Sequence, residues 1–186
     1  MKIAVVCGSF RQGSYNMMFS TNLVERYSMR YDMNILPIST LPHFSQDIED
    51  NPPDEVAIFK SQIAQSDAVL WVTPEYNGSI PGVLKNAIDW LSRVDLVMHD
   101  KPSIIMGCST GFLGSVKAQL HLREILFTNG LKSPVLGGNE VLIGSIHKKF
   151  DDEGNFTDND TLSFIDTVMD HFDDWVKKHK NCKDID

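Results

Sequence analysis

The sequence predicts an α/β fold in which a doubly wound parallel sheet carries helices on both faces. Short apolar runs at residues 3–7, 68–72, 104–106 and 141–143 are too continuous for strands that are wetted on one face. Amphipathic stretches of helical periodicity lie between these runs. Because β-α-β crossovers are right-handed, this alternation winds the helices onto both faces of one sheet.

The predicted elements alternate along the chain and make five strands and five helices. A second strand, at residues 33–38, joins the four apolar runs. The helices are predicted at 16–29, 53–65, 81–94, 115–128 and 160–178. A proline-containing loop covers residues 41–54, and Pro81 suits the start of its helix because the φ of proline is already helical. Residues 1–186 are predicted to form a single domain, since this length supports one sizeable core.

Composition argues against several classes of partner. The chain has 25 acidic and 17 basic residues, and its net charge of −8 repels phosphate backbones and anionic membranes. About five apolar residues precede Gly8, too few for a signal sequence or a membrane span. Three cysteines without a CxxC pair indicate neither a disulfide framework nor a zinc site. We therefore expect a cytoplasmic protein with small-molecule partners, and no nucleic-acid or membrane partner.

The acidic stretch at residues 151–160 is interpreted as a turn, without a metal. An EF-hand loop has its glycine at the sixth position, whereas Gly154 follows Asp151 by three residues. The six histidines form neither an HExxH motif nor a close pair. No metal site is expected, and Asp158 or Asp160 is predicted to cap the last helix.

The segment GSFRQGSYN, residues 8–16, follows the first predicted strand and leads into the first helix. In open α/β sheets anions bind at this point, because free backbone N–H groups and the helix dipole converge there. Ser9, Ser14 and Asn16 add side-chain hydrogen bonds, and Arg11 adds a planar charged group. This set suits a terminal phosphate better than a pyrophosphate. The alternative is that Ser14 only caps the helix and that Arg11 is a surface charge.

Other phosphate-binding motifs do not fit the spacing. The segment contains neither GKS or GKT, as a P-loop requires, nor the GxGxxG of dinucleotide-binding folds. A tyrosine-phosphatase-like loop needs an arginine six residues after its cysteine, but Gly13 stands six residues after Cys7. Cys7 is therefore predicted to be a buried strand residue.

A second informative segment, TPEYNGSIPGVLKNAIDWLSR at residues 73–93, begins where the third predicted strand ends. Parallel strands end at the same edge of a sheet, so one ligand can contact both segments. Its first part offers an aromatic ring, exposed N–H groups and an amide, which suit a flat heteroaromatic ring. A phosphate at one loop and a planar ring at the next describe FMN.

These segments resemble the NADPH-dependent FMN reductase family of flavodoxin-like proteins, which includes chromate, quinone and azo-dye reductases. The family pattern GSxRxxSxN appears as GSFRQGSYN, and PEYNxSxPGxLKNAIDWxSR appears as PEYNGSIPGVLKNAIDWLSR. A third segment, CSTGFLGSVKAQLHLREIL, has Ser115 in place of the usual second glycine and Lys117 in place of the usual arginine. The resemblance covers residues 1 to about 130 and implies a five-stranded sheet of order 2-1-3-4-5.

The resemblance also implies the site. Four residues are expected to hold the FMN phosphate: Ser9, Arg11, Ser14 and Asn16. Four others are expected to flank the isoalloxazine: Pro74, Glu75, Tyr76 and Asn77. Ser109 and Gly111 are expected near the ring or the ribityl chain. Glu75 is interpreted as shaping its loop and not as an acid, and no catalytic residue is assigned.

The function implied is an NAD(P)H-dependent FMN reductase with ping-pong kinetics. NADPH or NADH would deliver hydride to flavin N5, and a quinone, azo dye, chromate or free flavin would then take the electrons. A homodimer or homotetramer is implied. Two alternatives remain: a flavodoxin-like electron carrier without NAD(P)H turnover, and a redox-silent flavin- or nucleotide-binding module.

Overall fold

A five-stranded parallel sheet forms the centre of the molecule. The computed structural model describes residues 1–183, with side chains described up to residue 179. The strands are β1 (Lys2–Cys7), β2 (Asp32–Ile35), β3 (Ala68–Val72), β4 (Ser103–Cys108) and β5 (Val141–Ile143). They lie in the order β2-β1-β3-β4-β5 and every neighbouring pair is parallel, which confirms the predicted fold class and strand order.

Five helices connect and cover the strands. They are α1 (Tyr15–Arg26), α2 (Asp54–Ala64), α3 (Gly82–Leu91), α4 (Val116–Leu126) and α5 (Asn159–Lys183). Helices α1 and α5 pack on one face of the sheet, and α2, α3 and α4 pack on the other. Over residues 1–183, no helix combines the length and the apolar character that crossing a bilayer requires.

The bounds differ from the prediction where local chemistry ends an element. Strand β2 ends at Ile35, short of the predicted residue 38, because Pro37 has no N–H to donate to the sheet. Of the two predicted caps of α5, Asp158 is the one observed, with its Oδ1 accepting from the N–H of Thr161 at 2.9 Å. Side-chain capping close to the helix start thus follows the sequence pattern.

Both layers of core are apolar and closely packed against the sheet. Phe19 of α1 and Phe172 of α5 are fully buried on one side. Trp71 of β3 and Trp90 of α3 are fully buried on the other, and each indole N–H finds an acceptor, the Ser103 Oγ and the Pro42 carbonyl respectively. Trp71 and Trp90 are therefore core residues. This packing fixes the strand ends that carry the polar loops.

Candidate functional site

A polar cleft lies at the sheet edge formed by the carboxyl ends of β1, β3 and β4. Strands β2 and β3 lie on opposite sides of β1, so the winding of the chain reverses between β1 and β3. Ligands of open α/β sheets bind at this reversal. The residues lining the cleft are Ser9, Arg11, Ser14, Tyr15, Asn16, Pro74, Glu75, Tyr76, Cys108, Ser109, Thr110 and Ile146.

Loop 1, residues 8–14, presents two buried hydroxyl groups to the cleft. Ser14 caps α1, because its Oγ accepts from the N–H of Met17 at 3.2 Å. The same hydroxyl donates to the Oγ of Ser9 at 2.7 Å, and the two serines are 3% and 4% exposed. The hydroxyl pair therefore lies at the positive end of α1, where backbone N–H groups and the helix dipole favour an anion.

Arg11 and Asn16 also line the cleft and have different surroundings. Among the cleft-lining residues that the structure describes, Arg11 is the one basic side chain; it is exposed, and its Nη1 donates to the carbonyl of Gln12 at 3.1 Å. Asn16 is buried, and its amide both donates to and accepts from the backbone of Cys108, at 3.1 Å each way. Asn16 therefore joins the start of α1 to the end of β4.

Loop 2, residues 73–80, is a tight turn beside the cleft. The backbones of Tyr76 and Ser79 exchange hydrogen bonds at 2.9 and 3.1 Å. The central residues, Asn77 and Gly78, have φ values of 53° and 76°, and two positive φ values define a type I′ turn. Tyr76 is 48% exposed, so a flat ligand can reach its ring.

Glu75 connects loop 2 to the start of α4. Its Oε2 accepts from the backbone N–H groups of Lys117 at 3.0 Å and Ala118 at 3.4 Å. These are donors of the first helical turn, which need a partner outside the helix. The carboxylate of Glu75 therefore has a structural partner, in keeping with its interpretation as a residue that shapes the loop.

Loop 3, residues 109–115, lies on the third side of the cleft and is held by the end of β5 and the segment after it. The backbone N–H of Ser109 donates to the carbonyl of Ile143, and the carbonyl of Ser109 accepts from the N–H of Ile146. The Oγ of Ser109 donates to the carbonyl of Gly111 at 3.1 Å. These bonds bring Ile146 to the cleft as an apolar wall beside Ser109.

Two thiols lie close to this edge, and burial sets their chemistry. Cys7 in β1 and Cys108 in β4 are free and buried. Burial raises the pKa of the Cys7 thiol, and burial also raises the pKa of Cys108. Both are therefore neutral and poor nucleophiles at neutral pH, and Cys7 is the buried strand residue that the sequence predicts. Cys182 lies outside the residues whose side chains are described.

The described structure brings all but two of the ten sequence-predicted site residues to the cleft; the two are Asn77 and Gly111. Asn77 occupies the turn of loop 2, while the carbonyl of Gly111 accepts from Ser109 and from the N–H of Ser145. The sequence prediction omitted four lining residues: Tyr15, Cys108, Thr110 and Ile146. Two of these could have been found from the sequence. Thr110 lies between the predicted residues Ser109 and Gly111, and Ile146 follows β5, which ends at the same sheet edge.

The fold and the cleft together define a flavodoxin-like protein with a candidate ligand cleft at the reversal between β1 and β3. A family model described as NADPH-dependent FMN reductase matches residues 1–148. The chain belongs to this family. The family assignment confirms the predicted NAD(P)H-dependent FMN reductase, with FMN as cofactor and NAD(P)H as co-substrate.

Similar proteins match over nearly their whole length. A 2-hydroxy-1,4-benzoquinone reductase from Burkholderia sp is 38% identical over 182 residues, which are 97% of this chain and 98% of that protein. A quinone reductase from Escherichia coli strain K12 is 36% identical over 185 residues, covering 97% of each chain. The solved structure of FerB, a flavoenzyme NAD(P)H:(acceptor) oxidoreductase from Paracoccus denitrificans, is 35% identical and has a TM-score of 0.86. The structural match covers 96% of this chain and 98% of the FerB chain.

Proposed function

We propose that the protein transfers electrons from NADPH or NADH to a quinone by ping-pong kinetics, with FMN bound in the cleft. Azo dyes, chromate and free flavin belong to the same proposal as further acceptors. The observation that carries it is the meeting of loops 1 and 2 at the reversal between β1 and β3. The names of the quinone reductases that match this chain end to end support the choice of acceptor.

Loop 1 fits the phosphate of FMN. The Ser9 and Ser14 hydroxyls, the start of α1 and the exposed guanidinium of Arg11 all lie at the cleft and can supply donors to a phosphate. The one carboxylate among the described lining residues, Glu75, is hydrogen-bonded to α4. A phosphate in loop 1 is thus bound by donors and a positive charge. Asn16 supports this geometry by holding α1 against β4.

Loop 2 fits the planar ring. The ring of Tyr76 is half exposed, and Pro74 adds a rigid apolar wall beside it. Ser109 and Ile146 face the cleft from the other side, so a flat ligand would lie between loop 2 and loop 3. In this proposal Asn77 and Gly111 act by shaping their loops.

The chemistry resides in the cofactor, and the protein binds and orients it. When bound, FMN supplies a group that accepts a hydride from NAD(P)H and passes two electrons to the acceptor. Ser9, Ser14 and Arg11 fix the phosphate end, which sets where the ring lies. In this proposal the donor and the acceptor enter in turn at the half-exposed side of the cleft beside Tyr76, as ping-pong kinetics requires. We assign no catalytic acid or base.

The first experiment follows the visible spectrum of the purified protein with added FMN under anaerobic conditions. The expected result is bound flavin that bleaches with NADPH or NADH and regains its colour when 1,4-benzoquinone is added. Initial rates at varied donor and quinone should give parallel double-reciprocal lines. Bound flavin that neither donor bleaches would replace this proposal by the electron-carrier alternative. An absence of binding would refute the FMN site.

Arg11→Gln tests the phosphate assignment. Because the variant removes a charge-assisted hydrogen bond, the dissociation constant of FMN should rise about tenfold. Riboflavin has no phosphate, so its affinity should not change. Fluorescence quenching measures both, and Lys178→Gln, an exposed charge change on α5, serves as the matched control. Equal losses for FMN and riboflavin would mean that Arg11 does not bind the phosphate.

The proposal also includes a homodimer or homotetramer of one-domain chains, residues 1–186, in the cytoplasm. Free, buried thiols at Cys7 and Cys108 suit a reducing compartment. Sedimentation of the FMN-loaded protein measures the oligomeric state. A monomer at micromolar concentration would refute the proposed homodimer or homotetramer.

A further inference from the structure

We propose that Glu75 is a positioning residue: it caps α4 from loop 2 and thereby sets the ring-binding side of the cleft. The residue acts on the cofactor through the backbone of its loop and not through its carboxylate. This inference rests on the proposed function, since it concerns the same cleft. It gives the Glu75–α4 contact a role in ligand affinity in addition to its contribution to folding.

Helix α4 begins without a cap from its own residues. Ser115 precedes the helix with φ 64°, in the left-handed region, and within the described residues its side chain caps no first-turn N–H group. Its Oγ instead accepts from the Nε2 of Gln119 at 3.3 Å. A helix start of this kind leaves donors that need an external acceptor. The Glu75 Oε2 supplies it for Lys117 and Ala118.

The contact is charge-assisted. A helix start carries a partial positive charge, and a carboxylate placed there is stabilised by it. Hydrogen bonds to an ionised group are also stronger than neutral ones. The charge of Glu75 is thus directed to α4, away from the phosphate-binding end of the cleft at loop 1.

Two more contacts run along the same side of α4. The Ser79 Oγ lies 2.7 Å from the Nδ1 of His121, one turn beyond Lys117. A Cβ placed on Gly78 would lie 3.7 Å from Cδ of Lys117, so the turn of loop 2 packs on the aliphatic part of that side chain. Loop 2 therefore contacts α4 at three points over its first turns, and Glu75 makes the contact nearest the cleft.

The neighbours of Glu75 explain why this contact affects the ligand. Pro74 and Tyr76, on either side of Glu75, both line the cleft. A change in the Glu75 backbone would move both walls of the ring site together. The hydroxyls of loop 1 belong to a separate segment and would keep their positions, because Ser9 and Ser14 bond to each other and to α1. Loss of the contact should therefore weaken ring binding and leave phosphate binding intact.

The test compares Glu75→Ala, Glu75→Gln and the control Glu124→Gln, which alters an exposed carboxylate further along α4. Without the acceptor, Glu75→Ala should raise the FMN dissociation constant about tenfold. Glu75→Gln keeps a neutral acceptor and should raise the FMN dissociation constant about threefold. Riboflavin affinity should fall by the same factors, in contrast to Arg11→Gln, and the visible spectrum of bound flavin should shift. Glu124→Gln should match the wild type.

Three results would overturn the proposal. One is a Glu75→Ala protein with reduced thermal stability and unchanged FMN and riboflavin affinity, which would make the contact merely structural. Another is a loss confined to FMN, which would place the action of Glu75 at the phosphate. The third is unchanged amide hydrogen exchange at Lys117 and Ala118 in Glu75→Ala without ligand, because the capping bonds should protect these N–H groups. If the wild type bound no FMN, the proposed function would fail, whereas the exchange measurement would still test the capping contact.

Discussion

Helices α1 and α4 are capped in different ways by residues that line the cleft. Ser14 caps α1 from a position three residues before the donor, whereas Glu75 caps α4 from 42 residues before it. The first cap forms wherever the helix forms, because both partners belong to one turn of chain. The second requires that β3, loop 2 and α4 already be in place. One cap is thus local to its helix, whereas the other joins loop 2, which lines the cleft, to α4.

The largest effect is expected where loop 2 and α4 meet the sheet. A Cβ at Gly107 in β4 would overlap the Oγ of Ser115 and the carbonyl oxygen of Thr73. Gly107→Ala should therefore push the start of α4 and loop 2 apart and lower the free energy of unfolding by about 3 kcal/mol. Urea unfolding measures this.

The matched control is Gly137→Ala, where a Cβ would meet nothing within 4 Å among the described residues. The Gly107 variant should also expose the amides of Lys117 and Ala118 to exchange and leave that of Met17 protected. Equal exchange at all three would mean that the two caps are not independent.

Ser14→Ala is the corresponding change at the local cap. It removes the acceptor of the Met17 N–H and the partner of Ser9, and it should lower the free energy of unfolding by about 1 to 2 kcal/mol. Ser28→Ala, at an exposed serine after the other end of α1, is the control for denaturant unfolding. Exchange at Lys117 should stay at the wild-type rate, and an increase there would contradict the independence of the caps.

These contrasts explain what the sequence could predict. Ser14 and Asp158 precede their helices by the spacing that local capping uses, so both were recognisable without a structure. The strand order and the meeting of loops 1 and 2 followed from the alternation of elements and from the resemblance. The partner of Glu75 could not be predicted, because its donors are backbone N–H groups that carry no residue signature.

Other details depended on the same kind of long-range contact. The amide of Asn16 bonds to Cys108, 92 residues away, and this pairing has no local pattern. Ser115 stands where the family pattern has glycine, and its φ of 64° shows why glycine suits the position: it has no Cβ to strain a left-handed backbone. The departure from the family pattern was visible in the sequence, but the left-handed backbone of Ser115 could be seen only in the structure.

The smallest effect is expected at Asp158, a local cap remote from loop 2. Hydrogen bonding to Lys149, with its Nζ 2.6 Å from the Oδ2 of Asp158, and to Thr161 lowers the pKa of this carboxyl from 3.8 to about 2. A carboxyl with a lowered folded-state pKa stabilises the fold above its unfolded pKa. That stability is lost as the pH falls from 3.8 towards 2.

Asp158→Asn keeps a capping oxygen but loses the charge. It should be less stable than the wild type by up to about 1 kcal/mol near neutral pH, and the difference should shrink on acidification through that window. Urea unfolding across the pH range measures this, with Asp152→Asn, an exposed change in the same turn, as the control. A difference that stayed constant down to the lowest pH would rule out the ion pair as its source.

The raised pKa values of Cys7 and Cys108 affect how readily these thiols would be modified by an electrophilic substrate. Quinones are electrophiles, and thiolates add to them by conjugate addition, so a reactive cysteine beside the acceptor site would be alkylated by the substrate. Burial keeps both sulfurs protonated and shielded. With a quinone as the proposed acceptor, burial of these two thiols is expected to protect the protein from alkylation by its substrate.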